Sequence, residues 1–322
     1  MIKRSASLDV LKLILALLVV ALHIFPVAKL NGIQGLISYE ISNAITRVAV
    51  PTFFIISGYL LRNKLEDFAY LKKYCLRILL LYFVWQLIYL PDFIRFYKLG
   101  RFTTSDAITK LVFGYWHLWY LLASVGGVVM LYFFRKLSVS VKFGFICALF
   151  LFGYAFQLAY KMNALEAFPL LKLIYTGMGS TRNFLFFAYP FLMLGSLYPH
   201  WKNGLFLKKS VLLFSFVGLL LESYFYYTCK LPALDFYISI LPLSMLLLSF
   251  SVERTFTTRF SIPSSLSLGI YLTHPYMIRL VYEFLPQKMF EMIVLKYFMI
   301  CLLSLLCWYL VERINRKFPY ML

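Results

Sequence analysis

Long apolar runs are the feature that most constrains the fold of this 322-residue chain. About 20 mostly apolar residues in a helix cross the hydrocarbon core of a bilayer. The chain has 62% apolar and 14% charged residues, against roughly 25% charged in soluble domains, so much of its surface requires lipid as the solvent. We therefore predict an all-α, polytopic membrane protein that forms a single domain over residues 1–322. Its ten predicted transmembrane helices occupy residues 8–28, 41–61, 76–94, 114–134, 142–160, 184–199, 207–228, 236–252, 266–286 and 292–312.

The positions of the basic residues predict the orientation of these helices. The net charge is +19, and the Lys and Arg residues form short clusters between the apolar runs. Placing the N-terminus in the cytoplasm puts the larger share of them on the cytoplasmic side, where positively charged segments remain during insertion. With ten spans, both termini are then predicted to be cytoplasmic, and we expect the chain to lie in the plasma membrane. Because such clusters are typical of topology signals, we expect the lipid bilayer, and no nucleic acid, as a partner.

Ionisable residues inside the first predicted span are candidates for function, because charge at mid-bilayer is costly. Lys12 and His23 are eleven residues apart, which places both on one stripe of a helix, about 20° from three full turns. Their axial separation of about 16–17 Å is comparable with the pantetheine arm of coenzyme A. An acyl-CoA would then place a phosphate at Lys12 and its thioester at His23. Asp9, three residues before Lys12, is placed to neutralise it. In the alternative interpretation, Lys12 extends to the interface and His23 is a packing residue.

Further polar residues fall near the depth of His23 by residue counting. Acyl transfer requires a base, a carboxylate that orients it and cations that stabilise an oxyanion, and these residues supply such groups. The alternative is that Arg47 and Glu222 pair only to satisfy each other. The residues at this depth are Arg47, His117 and Glu222, and Arg182 and Asn183 enter the sixth span from the same side.

His274 and Trp119 each have two interpretations, and the cysteines argue against a metal site. His274 precedes Pro275 on the inner half of the ninth span, and is predicted to be structural or to line the entrance for the donor. Trp119 suits an interfacial aromatic belt and is also suited to gripping a sugar ring. The five cysteines have no metal-ligand spacing, so we predict no metal.

Several segments, in order along the chain, resemble the acyltransferase-3 family of membrane acyltransferases. Residues 8–23 are similar to the family pattern of Arg or Lys, ten residues and then His. Residues 47–59 resemble its second-helix motif, and residues 73–77 fall where the family has a basic cytoplasmic loop. Residues 117–120 and 270–275 resemble further family segments. The resemblance implies transfer of an acyl group, usually acetyl from acetyl-CoA, to a hydroxyl of an extracytoplasmic acceptor such as a cell-surface carbohydrate.

Within the family, some segments resemble the membrane domain of the serine racemases of vancomycin resistance. They are residues 179–183 with Phe186 and Phe187, and residues 219–223. We expect no racemase activity, because the racemase domain of those proteins has no counterpart in residues 1–322. Two alternatives to acyl transfer stay open. One is a transporter of serine or of a cell-wall precursor, and the other is a membrane scaffold for a separately encoded soluble partner.

The leading hypothesis is acyl-CoA-dependent O-acyl transfer. His23 acts as the general base or becomes transiently acylated, Glu222 orients it, and Arg47 stabilises the oxyanion. The phosphates of acetyl-CoA are predicted to contact Lys12, Lys73 and Arg77. The acceptor is predicted to contact His117, Trp119, Arg182 and Asn183.

Overall fold

The computed structural model of the chain describes residues 5–25, 32–178, 180–204, 209–231, 234–253, 262–285, 292–318 and 320–322. Within these ranges every regular element is a helix, which confirms the all-α prediction. The ends of predicted spans 8–28, 207–228 and 266–286 reach residues outside the described ranges, as does Gly179 of the racemase-like segment.

The α-helices of the described residues follow one another with short connections. In chain order they are α1 (Ala6–Ile24), α2 (Gly32–Asn43), α3 (Ala49–Leu61), α4 (Phe68–Lys98), α5 (Thr104–Phe113), α6 (Trp119–Phe133), α7 (Val139–Lys161), α8 (Pro169–Gly177), α9 (Tyr189–Ser196), α10 (Tyr198–Trp201), α11 (Lys209–Thr228), α12 (Ile240–Glu253), α13 (Leu266–Phe284) and α14 (Ile293–Asn315). A 3-10 turn at Ile45–Val48 joins α2 to α3, and a π-helical turn at Phe184–Ala188 leads into α9.

Six helical segments of the described chain are long and apolar enough to cross a membrane. They are Ala6–Ile24, Gly32–Lys64, Phe68–Lys98, Val139–Lys161, Ser210–Thr228 and Ile293–Asn315. The predicted count of about ten is not confirmed. The predicted span 266–286 forms the 19-residue helix α13, which is not among these six. Three further predicted spans form shorter apolar helices: Trp119–Phe133, Phe184–Ser196 and Ile240–Glu253. Local backbone explains the first of these. Gly114 and Trp116 have positive φ values of 104° and 54°, so the chain bends and α6 begins later than residue 114.

Helix α4 begins earlier than predicted. The side chain of Asp67 accepts a hydrogen bond from the backbone N–H of Tyr70 at 3.0 Å, which is the usual way an N-cap residue starts a helix. The helix then continues for 31 residues, about 46 Å, which exceeds the hydrocarbon thickness of a bilayer. Lys73 and Arg77 lie in its first turns, so the interpretation of this basic segment as a loop is wrong.

The chain divides into two compact units. The first unit comprises Met1–Phe53, Lys202–Ala233 and Tyr237–Leu322, and the second comprises Phe54–Trp201 and Leu234–Phe236. The prediction of a single domain over the whole chain stays a prediction. The candidate residues are therefore described within the unit to which each belongs.

In the first unit, α1 packs against α13 and α14. Ala16 and Val20 of α1 are fully buried, as are Ile270 of α13 and Ile300 of α14. Ala16 and Val20 are four residues apart, so they lie one above the other on the same face of α1. Helix association in lipid depends on close side-chain packing of this kind. The packing fixes the rotation of α1 and, with it, the direction of the polar residues on the helix.

In the second unit, the later part of α3 approaches α9 at two glycines. A Cβ atom on Gly58 would lie 1.9 Å from the carbonyl oxygen of Leu192, and one on Gly195 would lie 2.0 Å from the carbonyl oxygen of Ile55. Small residues at helix interfaces allow backbones to come this close in membrane proteins. Because each glycine faces backbone of the other helix, neither position has room for a side chain.

Candidate functional site

Two histidines connect α1 with α13 in the first unit. The rings of His23 and His274 are stacked, with centroids 5.3 Å apart and planes inclined by 27°. His23 is exposed and His274 is fully buried. Placing His274 on the inner half of its span and His23 on the outer half is therefore wrong, since the two rings share one level. Composition indicates where a span begins only approximately, and it does not fix the register between two helices.

The tautomer of a neutral His274 ring follows from its backbone partners. Its Nδ1 lies 2.7 Å from the carbonyl oxygen of Tyr271 and 3.2 Å from that of Ile270. A carbonyl oxygen only accepts, so Nδ1 carries the proton and the neutral ring has its lone pair on Nε2. Pro275 lies four residues after Tyr271 and has no N–H to donate to that carbonyl. The His274 ring supplies the missing hydrogen bond, and this orients the ring beside His23.

Lys12 lies toward the other end of α1. Its Nζ is 3.2 Å from Oδ1 of Asp9, which confirms the predicted pairing of these two side chains. The Asp9 carboxylate is buried, whereas Lys12 is 22% exposed. The ammonium group is thus partly neutralised and remains accessible from one side.

An apolar cavity of about 440 Å³ lies beside α1 in the first unit, between α1, α11, α12 and the 3-10 turn after α2. The residues of α1 that line it are Leu11, Ile14, Leu15 and Leu18. On a helix, this stripe is about 120° from the stripe of Lys12 and His23. The cavity therefore follows a different face of α1 and does not lead from one candidate residue to the other.

Arg47 and Glu222 each bind a neighbouring polar group of the first unit. Arg47, in the 3-10 turn, donates from Nη2 to Oδ1 of the fully buried Asn43 at 3.2 Å. The carboxylate oxygens of Glu222 accept from the backbone N–H groups of Ile238 at 2.9 Å and Ser239 at 3.1 Å. These residues immediately precede α12, so Glu222 caps that helix from a distance in sequence. Stabilisation of an oxyanion by Arg47 and orientation of His23 by Glu222 stay predictions.

Replacing Glu222 with alanine is expected to lower the free energy of unfolding by about 1–2 kcal/mol, because two N–H groups at the start of α12 lose their acceptor. The thermal midpoint of the purified protein in detergent measures this. Glu166→Ala, which removes only the exposed pair with Lys172, is the matched control and should change stability by less than about 1 kcal/mol. Equal midpoints for the two variants would contradict the capping role.

In the second unit, three of the predicted acceptor-binding residues line one cavity. This cavity has a volume of about 280 Å³. Its lining includes Trp119 at the start of α6, Arg182 and Asn183 before the π-helical turn, and the aromatic residues Phe113 and Phe184. The proximity of Trp119, Arg182 and Asn183, which sequence spacing alone did not establish, is a finding of the structure.

The side chain of Asn183 stabilises the backbone of the cavity wall through hydrogen bonds. Its Oδ1 accepts from the backbone N–H groups of Leu185 at 2.9 Å and Phe186 at 3.0 Å, and its Nδ2 donates to the carbonyl of Ser180 at 2.9 Å. The side chain thereby caps the π-helical turn and shapes the wall. Direct contact of the Asn183 side chain with an acceptor stays a prediction.

Arg182 is paired with a residue that sequence reasoning missed. Its Nε donates to Oδ2 of Asp235 at 2.7 Å. Nearby, Tyr175 is buried and stacks on Tyr160 with centroids 4.1 Å apart. Burial, together with the Asp235 carboxylate, raises the pKa of Tyr175 to about 12, so this phenol stays neutral at physiological pH. Asp235 lies between two predicted spans, and no motif or periodicity in the sequence marks it.

His117 lies in a different part of the second unit, buried in the bend before α6. Its ring meets the edge of Tyr89 with centroids 5.6 Å apart. The Tyr115 hydroxyl donates to Oδ2 of the buried Asp92 at 3.2 Å. These four side chains form a cluster distinct from the cavity of Trp119. Asp92 was also missed, although an acidic residue within a predicted span is a recognisable signal. Contact of His117 with an acceptor stays a prediction.

Lys73 and Arg77 are exposed on the first turns of α4. Their binding of coenzyme phosphates stays a prediction.

The helices, together with the stacked histidines and the cation-bearing cavity, define a multi-pass membrane protein with two polar sites. The acyltransferase-3 family, described as an acyltransferase domain, matches residues 5–313. The chain therefore belongs to this family, which confirms the resemblance of its motifs.

Two curated relatives are similar to most of this chain. An amino-acid racemase of Enterococcus faecalis is 28% identical over 299 residues, which is 87% of the chain. A serine/alanine racemase of Enterococcus gallinarum is 30% identical over 313 residues, which is 88% of the chain. The chain spans 42% of the length of each of these relatives. No solved structure matches it.

Proposed function

We propose that the chain transfers an acyl group, usually acetyl, from cytoplasmic acyl-CoA to a hydroxyl of an extracytoplasmic carbohydrate. Membership of the acyltransferase-3 family supports acyl transfer in general. The observation that carries the proposal further is the exposed His23, stacked on a buried His274 of fixed tautomer. An imidazole held in one orientation and open on its other side is suited to accepting a proton from a hydroxyl.

The reaction proceeds by attack of the acceptor oxygen on the thioester carbonyl. The C–O bond forms, the hydroxyl proton passes to the His23 ring, and an oxyanion develops that Arg47 stabilises. The C–S bond then breaks, and the proton on His23 passes to the departing thiolate of coenzyme A. A neutral His274 beside His23 allows the imidazolium to form without a second positive charge in contact with it.

The coenzyme approaches from the basic end of α1 in this proposal. Lys12 is about 16–17 Å from His23 along the helix axis, and its side chain is 22% exposed. Lys12 binds a phosphate of the coenzyme. When no coenzyme is bound, Asp9 provides the negative charge that pairs with the Lys12 ammonium.

The names of the two relatives suggest a different substrate, since both are racemases of amino acids. Their matched regions cover only part of each relative, so the racemase name belongs to those whole proteins. The similarity to amino-acid racemases favours one alternative function, in which the chain moves serine across the membrane without acyl chemistry.

Incorporation of radiolabel from acetyl-CoA into isolated cell envelopes tests the proposal. Envelopes from cells that express the chain should transfer label to the carbohydrate fraction, and mild base should release it, as expected for an O-ester. Envelopes from cells without the chain provide the control. The proposal is overturned if label stays in the coenzyme while proteoliposomes containing the purified chain move radiolabelled serine.

A further inference from the structure

A short amphipathic helix follows the spanning helix α7 in the second unit. This helix, α8 (Pro169–Gly177), is joined to α7 by a 3-10 turn at Ala164–Ala167. We propose that α8 lies at the surface of the bilayer, with its apolar face among the lipid acyl chains and its polar edge among the headgroups. Anchoring of this kind concerns how the chain contacts lipid, and it does not depend on acyl transfer.

Contacts with α7 hold α8 at the level where that span ends. Tyr175 of α8 is buried, and its ring stacks on Tyr160 with centroids 4.1 Å apart and meets Phe156 edge-on at 5.1 Å. Both partners lie in the last two turns of α7. With 23 residues, α7 is about 34 Å long, against roughly 30 Å for the hydrocarbon core, so its last turns reach the headgroup boundary. Tyrosine is enriched at this boundary.

The side chains of α8 divide into an apolar face and a polar edge. Successive residues of a helix are about 100° apart, so four apolar side chains of α8 cover an arc of about 160°. Lys172 and Thr176 lie on the opposite side, and Tyr175 lies between the two and contacts α7. An apolar arc of this width is typical of a helix that buries one face. The four residues of the apolar face are Leu170, Leu171, Leu173 and Ile174.

Within the described part of the chain, this apolar face is uncovered. All four of its residues are exposed, with Leu170 at 69% and Leu173 at 67%. A contiguous exposed apolar surface marks an interaction site. The helix is only about 13 Å long, whereas a stable interface between two proteins buries about 800 Å² on each partner. Lipid already surrounds the end of α7, so we infer that lipid covers this face.

The polar edge of α8 carries charge on the side away from the apolar face. Nζ of Lys172 lies 2.7 Å from Oε1 of Glu166 in the preceding 3-10 turn, and both side chains are exposed. A basic residue on the polar face is typical of helices that lie in a membrane interface. The pair therefore fits the headgroup region and does not fit the hydrocarbon core, where charge is costly.

Tryptophan reporters on the two sides of α8 test the proposal. Leu173→Trp places an indole on the apolar face, and Thr176→Trp is the matched control on the polar edge of the same helix. Fluorescence is measured in nanodiscs as the difference from the unsubstituted chain, which has five tryptophans. The quenchers are a phospholipid with a nitroxide near the headgroup end of an acyl chain, a phospholipid with the nitroxide at the far end of the chain, and aqueous iodide.

We expect the shallow nitroxide to quench Leu173→Trp at least about twofold more than the deep nitroxide does, because interfacial helices insert their apolar face by only about 5–10 Å. Iodide should quench this variant weakly. Thr176→Trp should show the reverse, with iodide more effective than either lipid. Leu170→Trp provides a second reporter on the apolar face. Both leucines are exposed, so these variants should keep the elution profile and the thermal midpoint of the unsubstituted chain.

Four results overturn the proposal. Quenching of both apolar-face reporters by iodide and by neither lipid would place this face in water. Protection from all three quenchers would show that a second copy of the chain or another protein covers it. Stronger quenching by the deep nitroxide would place α8 in the hydrocarbon core. Equal quenching of Leu173→Trp and Thr176→Trp would show that the helix has no lipid-facing side. None of these measurements requires an acyl donor.

Discussion

Replacing His23 with alanine is expected to reduce the rate of acyl transfer by about 10²–10⁴-fold, because the acceptor hydroxyl loses the base that takes its proton. The measurement is the initial rate of label transfer from acetyl-CoA in envelopes or proteoliposomes, at matched amounts of folded protein. The side chain of His23 is exposed, so its removal should leave the thermal midpoint nearly unchanged.

A matched histidine is available as the control. His200 in α10 is also exposed and belongs to neither polar site, so His200→Ala should keep the full rate. His274→Phe retains an aromatic ring against His23 and removes the hydrogen bond to Tyr271. A rate for His23→Ala equal to that for His200→Ala would show that the imidazole of His23 is not the base.

Substitution of Gly58 or Gly195 by valine is expected to prevent assembly of the second unit. A Cβ at either position would lie about 2 Å from a carbonyl oxygen of the facing helix, where backbone on both sides leaves nothing flexible to move. The expected result is loss of the monodisperse peak in size-exclusion chromatography and loss of a cooperative melting transition. Alanine at either position should already lower the yield of folded protein.

Gly144 in α7 is the matched control for these variants. A Cβ there meets nothing within 4 Å, so Gly144→Ala should be tolerated and should not reduce stability, since alanine favours helix over glycine. Normal elution and melting of both Gly58→Val and Gly195→Val would contradict the close approach of α3 and α9.

The sequence predicted those features that depend on one helix at a time. Apolar run length was sufficient for the all-α membrane fold, and three-residue spacing was sufficient for the ion pair between Asp9 and Lys12. Residue type also selected Trp119, Arg182 and Asn183, which the structure places around one cavity. Each of these features depends on residue type and helical periodicity, and a short segment of the sequence is enough to determine both.

Features that depend on two distant segments were missed. The stacking of His274 on His23 depends on the register between α1 and α13, which hydrophobicity does not determine. Asp235 meets Arg182 across 53 positions of sequence, and the bend before α6 shortens a helix that composition alone extends to a full span. Such details follow from side-chain packing and from backbone turns, and a single sequence gives little information about either.

The buried side chain of Gln157 in α7 accepts hydrogen bonds from the backbone N–H groups of Asp235 and Phe236 and donates one to the carbonyl of Phe236. These three hydrogen bonds imply that position 157 tolerates almost no substitution. Glutamate would place a second hydrogen-bond acceptor against the carbonyl oxygen of Phe236, and the side chain of asparagine is one methylene too short to reach the same partners. Leucine would leave the backbone N–H groups of Asp235 and Phe236 and the carbonyl of Phe236 without these hydrogen bonds. We therefore expect natural sequence variation in this chain to preserve Gln157, a buried residue to which no role in binding substrate is assigned.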